Sequence, residues 1–144
     1  GQLMVNSRNK GATFEREICN LFNLELGAVF NFRRDLEQYR SASHGDVSCD
    51  DPNWPFVVEL KRYASGPHGG QTAWWNQAKT AAVAVNKAPI LIYKYDRQHA
   101  VCMMELKTIA ANFGVTSQSI NKYYTSVEGF ISLAREIMAH EATA

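Results

Sequence analysis

A run of β-favouring apolar residues, Phe56-Val57-Val58 and then Leu60, is interrupted by two charges, Glu59 and Lys61, and that conflict constrains the chain more than any other feature. The pattern predicts a strand over residues 56–62 entering the core. With the period-two alternation of a strand, Glu59 and Lys61 share one face. A shorter strand over residues 46–49 precedes it, joined through Asp51-Pro52-Asn53-Trp54-Pro55, whose composition is that of a turn. Asp46 can then meet the face that carries Glu59 and Lys61. A bare Glu-x-Lys triplet is common on solvated strands, so the sequence context matters. Here the triplet follows an apolar strand, and an acid lies thirteen positions upstream of Glu59.

Two carboxylates and one ammonium converging on one spot suit phosphodiester hydrolysis. The substrate is anionic and water is a weak nucleophile, so the chemistry calls for a hard cation that polarises phosphoryl oxygen and acidifies bound water. Mg²⁺ keeps several waters and takes one or two protein carboxylates, which Asp46 and Glu59 supply; Mn²⁺ is expected to substitute. The backbone carbonyl of Leu60 adds a further oxygen. Lys61 is placed to orient the water or to offset charge on the phosphorane.

The series Gly45-Asp46, then Glu59-Leu60-Lys61 behind an apolar strand, resembles the motif of the PD-(D/E)xK nuclease superfamily, with Gly-Asp in place of Pro-Asp. Within that superfamily, Lys10-Gly11-Ala12-Thr13-Phe14-Glu15-Arg16 resembles the Lys-Gly-x-x-x-Glu-Arg opening of archaeal Holliday-junction resolvases. That resemblance implies that Glu15 completes the metal site. It also promotes Gln77, in Gln77-Ala78, to a glutamine that supports the site; on composition alone Gln77 is only a good helix former. RecU-like resolvases are similar in the same sense. The resemblance covers residues 8–104 and implies a homodimer, because a four-way junction offers two symmetric scissile phosphates.

Thr13 is a candidate cap for a helix with Phe14, Ile18, Leu21, Phe22 and Leu26 on one stripe, ended by Gly27. Residues 1–10 read as a flexible basic arm. Glu15 and Glu17 both suit the first turn of that helix, where the macrodipole favours acids. Residues 28–33 read as a first strand, leading through a polar loop to Asp46. After Lys61, the glycine-rich stretch 63–70 reads as a flexible loop beside the site. A helix over residues 71–86 has Trp74, Ala78, Ala81, Ala82 and Val85 on its inner stripe, followed by strands over 89–95 and 100–104. Residues 105–144 read as C-terminal helices: one over 105–113, and a closing one over 127–140. Ala110, Gly114 and Ile120 have helix-turn-helix spacing, but the second helix, over 116–124, would carry Lys122 as its one base, a poor fit to a DNA-reading element.

At 144 residues and 46% hydrophobic, this is enough chain for one domain with a sizeable core. The net charge of +1 hides a local imbalance: residues 41–59 hold four acids and no Lys or Arg, whereas residues 60–99 hold six bases against Asp96. An acidic centre beside basic surface suits a polyanion held near a cation. Arg8, Lys10, Arg33, Arg34, Arg40 and Arg62 are the candidate phosphate contacts; Arg33 and Arg34, as neighbours, cannot both face the core. Three cysteines without C-x-x-C spacing indicate neither a disulfide framework nor a zinc site, and fit a reducing cytoplasm. No run reaches transmembrane length, so no membrane partner is expected.

The expectation is therefore a single α/β domain with a restriction-endonuclease-like αβββαβ core, its mixed sheet flanked by helices. The resemblance implies a Mg²⁺-dependent DNA endonuclease acting on four-way junctions in recombination and repair. The alternatives are another endonuclease of the superfamily, restriction-like or reparative, and a non-catalytic DNA-binding protein on the same scaffold.

Overall fold

A computed structural model describes residues 2–36, 45–112, 117, 119 and 121–143. Helix α1 (Gln2–Leu26) leads into β1 (Phe32–Arg34), β2 (Val47–Cys49) and β3 (Phe56–Tyr63). Then come α2 (Thr72–Ala84), β4 (Ala88–Tyr95), β5 (Val101–Glu105), α3 (Leu106–Asn112), β6 (Lys122–Ser126) and α4 (Val127–Thr143). The six strands form one sheet in sequence order. All neighbours are antiparallel except β3 and β4, which pair in parallel from Phe56↔Ala88 to Tyr63↔Tyr95. A parallel pair needs a crossover, and α2 is that crossover.

Both faces of β3 are covered, so its alternation sorts residues between two helical layers. Phe56, Val58 and Leu60 join the larger core with Phe14, Ile18 and Phe22 of α1 and Phe130, Ala134 and Ile137 of α4. Trp54, just before β3, is 2% exposed and lies within ring contact of Phe22, Phe30, Phe32, Phe56 and Phe130. On the other face Val57 meets Ala81 and Ala82, and Trp74, Trp75 and Ala78 of α2 pack against Leu91, Tyr93, Tyr95 and Met103. The small alanines let α2 lie close to the sheet.

Several expectations shift. The helix begins at Gln2 instead of Thr13, so Gln2–Lys10 extends α1 and is not an arm. No proline interrupts that stretch, Gly11 costs a helix interior only about 1 kcal/mol relative to Ala, and the ammonium of Lys10 binds both oxygens of Asp96 at 2.9 Å. The first strand starts at Phe32, because the amides of Val29 and Phe30 still donate to the Leu26 carbonyl and close the helix. The side chain of Asn23 then brackets β1, donating to the Phe32 carbonyl at 2.8 Å and accepting its N–H at 2.7 Å. Helix α2 stops at Ala84, which leaves Val85 44% exposed, while Trp75 is buried in its stead.

The stretch after α3 is not all helix. Lys122-Tyr-Tyr-Thr-Ser is rich in β-favouring residues and forms the exposed edge strand β6, paired with β5. The helix-turn-helix reading therefore has no recognition helix over 121–124. Arg40, Gly114 and Ile120 lie outside the described residues. No helix of the described chain is long and apolar enough to cross a membrane.

Truncating Trp54 removes the hub of the larger core, so Trp54→Ala should cost on the order of 3–5 kcal/mol, read as a lower urea midpoint at unchanged slope. A loss below about 1 kcal/mol would show that the aromatic cluster does not hold the helical layer to the sheet.

Candidate active site

The acidic residues are brought together by the short β2–β3 ladder, which is registered at Val47↔Val58. The Asp46 N–H donates to the Val58 carbonyl at 2.9 Å, and its own carbonyl accepts the Asp35 N–H at 2.9 Å, so Asp46 is clamped on both sides. A Cβ at residue 45 would meet the Val58 oxygen at 2.6 Å and Val57 Cγ1 at 3.0 Å. Glycine is therefore the residue that lets the chain cross β3 this closely, which gives the Gly-Asp form of the motif a steric cause.

Asp46 is buried, and its Oδ2 accepts the Leu60 N–H at 2.6 Å. N–H and C=O of one strand residue leave the same edge, so the Leu60 carbonyl is directed toward that edge too. Glu59 is 1% exposed, and its Oε2 has no hydrogen-bond partner. Burial, then the Asp46 charge, then a hydrogen bond shared with Asp46 push its carboxyl up to about 9, and Lys61 offsets this only in part. An acid that holds its proton at neutral pH beside a second acid is an uncompensated site. The donor set is all hard oxygen, with one oxygen orphaned, and it fits a divalent cation of the Mg²⁺ or Mn²⁺ type.

Lys61, on the same face of β3 as Glu59, donates its ammonium to Gln77 Oε1 of α2 at 2.8 Å, and its charge still acts on the Glu59 carboxyl. Glu15 reaches the same neighbourhood from α1. Burial raises its carboxyl and the Asp46 charge adds to this, while Arg34, ion-paired to Glu15 at 3.2 Å, pulls the other way. Glu15 is thus engaged by Arg34 in this arrangement. Among the described residues no group of three His, Cys, Asp or Glu side chains is already arranged to hold a metal ion.

The candidate DNA contacts are mostly engaged with acids. Arg33 pairs with Asp50 at 2.9 Å, and Lys10 and Arg62 converge on Asp96 at 2.9 and 2.7 Å. Arg8 is exposed. Exposed ion pairs are weak, so a phosphate can displace Asp50 from Arg33 at little cost. Arg62 also donates to the Tyr63 carbonyl at 2.8 Å, which makes it a brace for the end of β3 as much as a surface base. Its neighbour in a shallow groove of about 420 Å³ is Lys94, a base the sequence reading passed over. Asp35 was missed as well: it is buried, accepts a 2.7 Å hydrogen bond from Ser48 Oγ and braces Asp46 through its backbone. Nothing in a polar Arg-Arg-Asp-Leu run marks that acid as internal. The stretch after Lys61, expected to be flexible, is pinned: Tyr95 donates to the Pro67 carbonyl at 2.8 Å, and Asp96 N–H to that of Ala64 at 3.1 Å. A larger cleft, about 760 Å³, lies at the opposite end of β3 beside Trp54, Lys87 and Glu105.

Comparison with known proteins adds a family. Residues 6–137 match the model of a family described as "Phage putative PDDEXK endonuclease". A search of curated proteins finds no match. Among solved structures, Hjc from Archaeoglobus fulgidus, a Holliday junction resolvase from an archaeal hyperthermophile, is 14% identical. It covers 87% of this chain and 98% of its own, at a TM-score of 0.47.

The raised Glu59 carboxyl sets a pH dependence. Above its ordinary value of 4.5 the unfolded chain loses this proton while the folded one keeps it up to about 9, so stability falls as pH rises through that window. In EDTA the contribution is at most about 1.4 kcal/mol per pH unit. Glu59→Gln keeps the shape and removes the proton, so its melting temperature should exceed that of the parent at pH 8 and converge with it at pH 5. Equal pH slopes for the two proteins would show that Glu59 is not held protonated.

Proposed function

The chain belongs to the phage PDDEXK endonuclease family, and from that premise we propose a divalent-metal-dependent DNA endonuclease that resolves four-way junctions as a homodimer. The observation that carries the catalytic assignment is the unpartnered, buried Glu59 oxygen beside Asp46, two residues from a lysine hydrogen-bonded to Gln77. A buried acid pair of this kind is costly to a fold and is a functional-site signature when it faces a substrate-sized surface.

Asp46, Glu59 and the Leu60 carbonyl would hold the ion, with Glu15 as the third acid once it leaves Arg34. Bound there, Mg²⁺ supplies Lewis acidity to the phosphoryl oxygen and lowers the pKa of a water ligand. The chain does the rest. Leu60 N–H fixes the Asp46 carboxylate beside Glu59. Gln77 Oε1 accepts from Lys61 and leaves two ammonium protons for the attacking water and the developing phosphorane charge. Arg34, released from Glu15, is a cation for the flanking phosphate. Junction selectivity comes from two matched sites in the dimer and from phosphate contacts, and the match of Glu15, Asp46, Glu59-x-Lys61 and Gln77 to the resolvase order supports that substrate over plain duplex.

Asp46→Asn should abolish Mg²⁺- and Mn²⁺-dependent cleavage while keeping junction affinity in EDTA, because phosphate contacts dominate binding. Turnover by that mutant at the parent rate would sink the metal assignment. Lys61→Met keeps the stem packed and should cut on the order of a hundredfold more slowly. A synthetic four-way junction, assayed beside duplex, flap and single strand of the same sequence, tests the substrate. Paired nicks on opposing strands by a dimer are expected. A monomer that nicks duplex and junction alike would leave an endonuclease of another kind, and no cleavage of any of these DNAs would favour a non-catalytic DNA-binding protein.

A further inference from the structure

Helix α2 runs antiparallel to β3 across one face, and the two elements meet in a series of rungs. Val57 lies against Ala81 and Ala82, Lys61 against Gln77, and Tyr63 against Trp74. Because alternate strand residues share a face, Glu59, Lys61 and Tyr63 stand in line, with Tyr63 outermost. The Tyr63 and Trp74 rings are stacked, with centroids 4.9 Å apart and planes 18° from parallel. Trp74 is 5% exposed whereas Tyr63 is 45% exposed, so one face of the tyrosine rests on the indole and the ring is open to solvent beyond it.

This pair is backed from behind and anchored at its backbone. Tyr93 and Tyr95 back the indole at 6.0 and 6.1 Å. Gly70, at φ +80°, crosses so close that a Cβ there would meet the Tyr93 ring at 3.2 Å. The guanidinium of Arg62 donates to the Tyr63 carbonyl at 2.8 Å and is itself anchored on Asp96. A tyrosine loses little conformational freedom when its ring is already fixed, so a flat ligand can stack on it without first ordering it.

We propose that Tyr63, seated on Trp74, is a nucleobase-stacking subsite that receives an unpaired base next to the phosphate held at Lys61. The proposal rests on the reading of Asp46, Glu59 and Lys61 as the cleavage site. A rise of two residues along the strand, roughly 6.6 Å, takes Lys61 to Tyr63, which is comparable to the step between neighbouring phosphates of one strand. A base in continuous duplex is stacked on its neighbours and cannot reach the ring. A base at a junction branch point, a flap or a single-stranded end can. Stacking is indifferent to base identity, because every base offers a π face, so the subsite selects structure and not sequence.

The test removes the base and the ring separately. On a flap or junction cut by the parent protein, an abasic residue beside the scissile phosphate should lower kcat/KM on the order of tenfold. Tyr63→Leu should lose a similar factor on the intact DNA, and in that variant removal of the base should cost less than about twofold. Tyr63→Phe should behave as the parent. In Asp46→Asn complexes formed in EDTA, 2-aminopurine at that position should be quenched, and Tyr63→Leu should restore its fluorescence. Equal losses on intact and abasic DNA would make Tyr63 a structural prop and overturn the proposal. If Tyr63→Leu does not fold, the abasic substitution and 2-aminopurine quenching with the Tyr63-bearing proteins still decide: no loss and no quenching overturn it. Cleavage by Asp46→Asn would instead show that the site itself is wrongly placed, an outcome distinct from a base-independent Tyr63.

Discussion

Strand β3 is covered on both faces and yet carries an acid at its centre, and the rest of the molecule is arranged around that conflict. A strand between two helical layers should be apolar throughout. Glu59 is held there by eight residues of parallel pairing with β4, by α2 across one face and by α1 across the other. Those contacts supply the apolar burial that keeps a protonated, half-satisfied carboxyl inside the fold. The Gly45 crossing brings Asp46 against it, so the two acids cannot relax apart without undoing the β2–β3 ladder.

Much of this was legible in the sequence because it depends on short-range rules. The Glu59-Leu60-Lys61 triplet, the turn before it, the alanine-rich crossover helix and the strand over 89–95 follow from periodicity and turn chemistry, and each lies within a few residues of its expected bounds. Gln77 was singled out through a family resemblance alone; its hydrogen bond to Lys61 depends on how α2 lies over β3, which no local pattern encodes. The start of α1 was misjudged because Gly11 and a threonine looked like a boundary, whereas the ion pair that anchors Lys10 lies 86 residues away. Strand β6 was missed because an edge strand is exposed on both faces and shows no alternation; only the β propensity of its tyrosines and threonine hints at it.

The arginines show a further limit of sequence reading. Charge counting marks Arg33, Arg34 and Arg62 as free cations, but in the fold each faces a carboxylate. The Arg34–Glu15 pair is the informative one, because it joins a candidate phosphate contact to a candidate metal ligand. Whatever draws one partner away releases the other, so on the proposed roles a phosphate at Arg34 and a cation at Glu15 would each favour the arrangement the other needs. Arg62 and Lys10 differ, since their shared Asp96 ties the first turns of α1 to the far end of β4 and so fixes the helix that carries Glu15.

The parallel β3–β4 pair also has a consequence in time. An antiparallel hairpin such as β2–β3 closes through local contacts, but a parallel pair forms only after the intervening chain, here through α2, has been laid down, and such non-local pairing is slow. The β2–β3 turn lies between Asp46 and Glu59, whereas the Lys61–Gln77 hydrogen bond requires α2 laid across β3. The lysine's partner therefore comes from the long-range crossover, and the geometry around Glu59 depends on a pairing that closes over the whole length of α2.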